Sequence, residues 1–130
     1  VLAAPGTVVL AAHSLGCMLT AAWASHSRNT HRVIGALLVA PGDPEREELR
    51  AALKSWSPVP RQALPFNSIL LGSHNDPYCS FERARQFAGA WGSEFVDYGH
   101  SGHINAESGL GDWSEGVQLL NPLMMKKENT

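Results

Sequence analysis

The feature that most constrains this chain is a fourfold alternation of short apolar runs with helix-like stretches. Residues 6–12 (GTVVLAA) are β-branched and apolar on both faces, as in a strand buried within a parallel sheet. Residues 15–26 (LGCMLTAAWASH) follow directly and are apolar on nearly every side, which predicts a helix packed deeply against that sheet. A second buried strand is expected over 33–40 (VIGALLVA), stopped by Pro41-Gly42. Asp43-Pro44-Glu45 then has the signature of a helix start running to about Lys54, with Asp as cap, Pro at the first helical position and acids at the positive end. Residues 57–65 carry three prolines and read as a loop. A third strand is expected over 67–72, a helix capped by Ser80 over 80–91, and a fourth strand over 94–98. Residues 99–113 are glycine-rich and loop-like. Residues 115–120 form a short amphipathic helix in this reading, and the end of the chain frays.

Strands that alternate with helices in this way make an α/β fold: a mostly parallel sheet with helices on both faces. The 130 residues suffice for one domain, expected over 1–121 with a flexible tail over 122–130. Ligands of such sheets sit at the carboxyl ends of the strands, so chemistry is to be sought there.

Composition narrows the function classes. Hydrophobic residues make up 44% and charged residues 17%, ordinary values for a packed domain. With a net charge of −2 and no basic run, nucleic acid is not an expected partner. No apolar run is long enough to span a bilayer, so no membrane partner is expected either. Two cysteines, Cys17 and Cys79, make no disulfide framework and read as reduced thiols of a cytoplasmic protein. Zinc-ligand spacings of the CxxC or HExxH kind are absent, and no metal site is expected. The chain opens at Val1 and runs almost at once into a strand, as a fragment or a processed chain would.

Three strand ends carry the chemistry. The first reads Ala12-His13-Ser14-Leu15-Gly16, the G-x-S-x-G pattern with Ala in first place. Small residues two before and two after the serine permit a tight strand-to-helix turn. That turn presents Ser14 at a helix N-terminus, where N–H groups and the helix dipole favour negative charge. Ser14 is thus the candidate nucleophile and the Leu15 N–H a candidate oxyanion donor. The competing reading makes Ser14 a simple helix cap. A serine hydroxyl needs a base, and the base an orienting acid, in the chain order Ser, acid, His. Asp76, after the third strand, is the candidate acid; Asp43, after the second, is its rival but is already explained as a cap. His103, after the fourth strand and preceded by Gly102, is the candidate base, with His100 as competitor. His13 is a candidate pocket-lining residue, and Trp23, Tyr78 and Trp113 could line an apolar acyl site, though core packing accounts for them as well.

Three stretches, AAHSLGC around Ser14, SHNDPYCSFERA around Asp76 and GHINAESGLGDWSEG from His103 onward, carry a resemblance. The chain resembles the small serine hydrolases typified by retinoblastoma-binding protein 9 and its bacterial relatives, of the α/β-hydrolase superfamily. The resemblance implies hydrolysis of small ester or amide substrates, with the family's Ser, Asp and His on Ser14, Asp76 and His103 and no metal or organic cofactor. It also implies that the chain is N-terminally truncated: the family's first strands and a loop donating the second oxyanion N–H lie upstream of the matching part. The L-x-C-x-E peptide associated with retinoblastoma-protein binding is not present, since Leu15-x-Cys17 is followed two residues later by Leu19. The expected activity is therefore a serine hydrolase working through an acyl-enzyme on Ser14. The rival is a non-catalytic binding protein or inactive fragment of the same fold. A sheet lacking strands would expose an edge, from which self-association is expected.

Overall fold

The computed structural model describes residues 6–47, 51, 53–56, 58–105 and 114–126. Four strands form one sheet: β1 (Val8–Ser14), β2 (Val33–Pro41), β3 (Asn67–Gly72) and β4 (Glu94–Asp97). They lie side by side in chain order, each parallel to the next. The pairing aligns Ala11 with Leu37, Leu37 with Ile69, and Leu71 with Val96. Among the described residues, three α-helices pack on the sheet: α1 (Leu15–His26), α2 (Phe81–Trp91) and α3 (Ser114–Lys126).

Strand alternation divides the core in two. Ala36 and Leu38 of β2 and Leu70 of β3 face Cys17, Met18 and Ala21 of α1 and Phe87, Ala88 and Trp91 of α2. Their chain neighbours Leu37, Val39, Ile69 and Leu71 face the other way, against Leu123 of α3 and Ile104. The α/β architecture with helices on both faces is therefore as expected. Cys17 and Cys79 are free and buried. Burial pushes both thiols up, that of Cys79 to about 12, with the nearby Asp43 and Asp76 carboxylates adding to the effect. Among the described residues, no helix is long and apolar enough to cross a membrane.

Several boundaries differ from the sequence reading, each for a physical reason. The first strand runs to Ser14 rather than stopping at Ala12, and it is half-buried rather than fully buried. Among the described residues it is an outer strand of this sheet, paired with β2. Helix α1 is correspondingly one-sided: Cys17, Met18, Thr20 and Ala21 are buried, whereas Leu19 is 61% exposed. Asp43 caps by accepting from the Glu45 N–H at 3.0 Å, in a turn; of the helix expected beyond it, to about Lys54, residues 48–50 and 52 lie outside the described residues, and a 3-10 turn spans Lys54–Trp56. Ser80 caps α2 as expected, accepting from Arg83 N at 3.2 Å, and Gly92 closes that helix at φ 72°.

The final helix is the largest correction. It extends from Ser114 to Lys126 rather than over 115–120, passing through Pro122. Residues 122–126 of the expected flexible tail are thus helical, while 127–130 lie outside the described residues. Pro122 removes one helical hydrogen bond, but Leu123 is completely buried, with Leu119 and Leu120 packed beside it. A Cβ on Gly35 would stand 2.8 Å from that of Leu123, so the glycine in β2 is what lets the helix lie this close. Replacing Leu123 with Ala is expected to destabilise the fold by roughly 2–5 kcal/mol, the range for a buried leucine. Urea unfolding followed by circular dichroism measures this; an unchanged midpoint would mean that α3 is not docked on β2.

Candidate active site

At the carboxyl end of β1 the chain turns sharply into α1, and Ser14 occupies the turn with φ 60° and ψ −126°. This is the left-handed side of φ, uncommon for a residue with a Cβ. Two other non-glycine residues take positive φ among those described, Ala40 (47°) and Ile104 (49°). All three border the same sheet end. Strain of this kind persists where the surroundings over-determine the backbone, and it gathers at functional sites.

The Ser14 side chain makes no helix-capping hydrogen bond, which removes the simple-cap account of this residue. Its Oγ instead lies 2.8 Å from His103 Nε2. His103 Nδ1 lies 3.0 Å from both carboxylate oxygens of Asp76. Since a carboxylate only accepts, Nδ1 carries the proton, and Nε2 is left to accept from the Ser14 hydroxyl. The His103 side chain is 8% exposed and that of Asp76 2%, so the pair is screened from water while the serine end stays reachable. Asp76 Oδ1 also accepts from the Tyr78 N–H at 2.8 Å. The structure thus brings Ser14, Asp76 and His103 together from the ends of β1, β3 and β4.

The rivals are placed elsewhere. Asp43, 2% exposed, is held by Arg83, whose Nε donates to Oδ2 at 2.8 Å and whose Nη2 donates to Oδ1 at 3.1 Å. Arg83 also binds Glu45, and Glu45 binds Arg61. These contacts brace the loop after β2 against the start of α2. Burial alone would raise the Glu45 carboxyl; the Val59 N–H and Arg83 outweigh it and hold the group below its usual range. His100 is exposed and stacks on His74, 5.4 Å between ring centres. His74 in turn pairs with Asp97 at 2.9 Å and stacks on Phe81.

His13 has a different place from the pocket lining expected of it alone. Its Nε2–H donates to the His103 carbonyl at 2.7 Å, and the two rings lie 4.6 Å apart. It also borders an apolar groove of about 540 Å³ with Leu10, Leu19 and Trp23. Tyr78 sets its ring 4.6 Å from that of His103 and is 49% exposed. Beside these lies a cavity of about 510 Å³ lined by Asn75, Tyr78, His100, Ser101, His103 and Asn105. Trp113 lies outside the described residues, as does most of the 105–116 run. Among the described residues, no three metal-ligating side chains come together.

Gly42 is a site residue that the sequence reading missed. It was legible only as a strand stop, yet a Cβ there would stand 3.1 Å from Ser14 Oγ and 3.4 Å from the Leu15 N. The glycine keeps open the space beside the hydroxyl and the N–H next to it. No short-range pattern marks such a residue, because the contact joins the ends of two different strands.

A parallel sheet layered by helices, with a serine at a strand-to-helix turn facing a histidine and an aspartate from later strand ends, defines the α/β-hydrolase class. Within it, the chain belongs to the serine hydrolase family, whose description matches residues 1–122. Among solved structures it is similar to a YdeN-like hydrolase from Pectobacterium atrosepticum, with 35% identity and a TM-score of 0.78 over 92% of this chain. Esterase 2 of Thermogutta terrifontis shares the fold at 23% identity and a TM-score of 0.65, covering 91% of this chain. An esterase domain from Rhodothermus marinus does so at 17% and 0.58, covering 85%. The chain spans 60%, 55% and 58% of the length of these three proteins. No curated protein matches it.

Gly42→Ala is expected to slow any reaction at Ser14 roughly 10–100-fold by displacing the hydroxyl and crowding the Leu15 N–H, with little change in melting temperature. Labelling kinetics with a serine-directed probe, read beside a thermal melt, measure both; unchanged kinetics would show that the space beside Gly42 is not used.

Proposed function

We propose that this serine hydrolase cleaves small ester or amide substrates through an acyl-enzyme on Ser14. The observation that carries the reading is the continuous contact from Ser14 Oγ to His103 Nε2 and from His103 Nδ1 to Asp76. Ser14 Oγ bonds to the substrate carbonyl carbon as its proton passes to His103 Nε2. The carbonyl oxygen becomes an oxyanion facing the Leu15 N–H. Asp76 holds the imidazole in its reactive tautomer and stabilises the imidazolium. Collapse of the tetrahedral species breaks the bond to the alcohol or amine, which leaves with the proton from His103. Water, deprotonated in its turn by His103, then attacks the acyl carbon and releases the acid and Ser14. No metal or organic cofactor enters these steps.

The three motif stretches further support a place near the retinoblastoma-binding-protein-9 type within the family, and two buried free thiols accord with a cytoplasmic setting. Self-association through the edge of β1 also belongs to this reading, since among the described residues that strand pairs with β2 alone. The Leu15 N–H serves as an oxyanion donor, and loss of a single such donor typically costs roughly 10²–10³ in rate.

A fluorophosphonate probe tests the proposal, since it needs an activated serine and no particular substrate. The parent chain is expected to be labelled and Ser14→Ala to be unlabelled. His103→Ala should lower the labelling rate by at least about 10²-fold, the scale of general-base assistance. A folded parent chain that takes up no probe would point instead to a binding protein that retains the fold.

A further inference from the structure

We infer that Ser73 and Asn75 are positioning residues that set the His103 imidazole against Asp76, an inference that rests on the proposed roles of Ser14, His103 and Asp76. Asn75 directly precedes Asp76, and Ser101 and Gly102 directly precede His103. Ser73 Oγ donates to Asn75 Oδ1 at 2.9 Å and accepts from the Ser101 N–H at 2.9 Å. The Gly102 N–H donates to the same Asn75 Oδ1 at 2.8 Å. A backbone N–H can only donate, so the amide orientation of Asn75 follows from its partners. Two consecutive N–H groups of the histidine loop are thereby tied to the turn that carries the acid. Ser73, at the centre of the relay, is 2% exposed.

The loop needs such a restraint. Gly99 and Gly102 both take positive φ, 67° and 59°, and glycines have the largest conformational freedom to lose. Behind His103 the chain is already held: its carbonyl accepts from His13, and Ile104 is buried in the core under α3. In front of His103, the His74 N–H holds the Gly99 carbonyl at 2.8 Å, and the two residues next to His103 are tied to the acid-bearing turn through the N–H groups that Ser73 and Asn75 bind. Without them the ring would pivot about its rear anchor, and an in-line arrangement of Oγ, imidazole and carboxylate would become one of several. Displacements near 1 Å at a reacting centre can cost on the order of 10²-fold in rate.

Two measurements on the full chain test this. The first is the low-field proton resonance of His103 Nδ1–H bonded to Asp76, which requires no turnover and which Asp76→Asn identifies by its loss. Parent chain and Asn75→Asp, whose carboxylate can accept the same two bonds, are expected to keep the resonance; Asn75→Ala and Ser73→Ala are expected to lose or broaden it. The second is fluorophosphonate labelling as a function of probe concentration and pH. Asn75→Ala is expected to lower the maximal labelling rate about 10–100-fold with little change in half-saturating concentration. Asn75→Asp should recover most of that rate, with its pH profile moved upward, because an added negative charge beside the pair favours the imidazolium. A low-field signal in the alanine variants equal to the parent's, or no such signal in the parent, overturns the inference. So does an Asn75→Asp variant as impaired as Asn75→Ala. If neither parent nor variants take up probe, the hydrolase reading fails while the resonance still decides whether the relay holds the ring.

Discussion

The parallel pairing of β1 with β2 is the constraint on which the site depends. It runs in register from Val9 opposite Gly35 to His13 opposite Val39, then shifts so that Ser14 meets Pro41. The shift coincides with the positive φ at Ser14, a conformation that costs on the order of 1–3 kcal/mol when a side chain is present. Such a cost is sustained only if both flanks are fixed. Strand pairing fixes the upstream flank, and burial of Cys17, Met18 and Ala21 against β2 and its neighbours fixes the downstream one. The same shift brings Pro41 and Gly42 alongside the serine, so the open space beside the hydroxyl and the strained turn have one origin.

The two acidic residues near the site show how surroundings assign different work to like groups. Asp43 and Asp76 are both almost entirely buried as side chains, and both raise the thiol of Cys79. Asp43 faces a guanidinium that is always charged, in a contact that braces the loop after β2. Asp76 faces an imidazole that can gain a proton and lose it again. Only the second arrangement lets a charge appear and disappear during a reaction. A buried carboxylate left without its partner is costly, so neither residue could take over the other's place.

How much of this was legible in the sequence depended on the range of the interaction involved. The strands over 33–40 and 67–72 were readable within a residue because continuous apolar runs are a local signal. The convergence of Ser14, Asp76 and His103 was readable because strand ends in a parallel sheet converge, so a linear order of polar residues becomes a spatial one. The half exposure of β1 was not readable, since it depends on what lies beside the strand rather than on its own residues. Likewise the last helix was read only over 115–120, because nothing local shows that Leu123, past the helix-breaking Pro122, docks over Gly35, a contact spanning most of the chain. The roles of Ser73, Asn75 and His13 were invisible for the same reason: each is a bond between loops that follow or end different strands.

The docking of α3 also bears on how such a chain matures as it is made. One face of the sheet can be covered early, since α1 and α2 lie between the strands they protect. The opposite face, with Leu37, Val39, Ile69 and Leu71, receives Leu123 only after all four strands have been made. Non-local closure of this kind is slow relative to helix and turn formation. During translation, a nascent chain would carry a finished layer on one side of the sheet and bare aliphatic side chains on the other. That window is when chaperones would bind it and when neighbouring nascent chains would be most prone to stick to it.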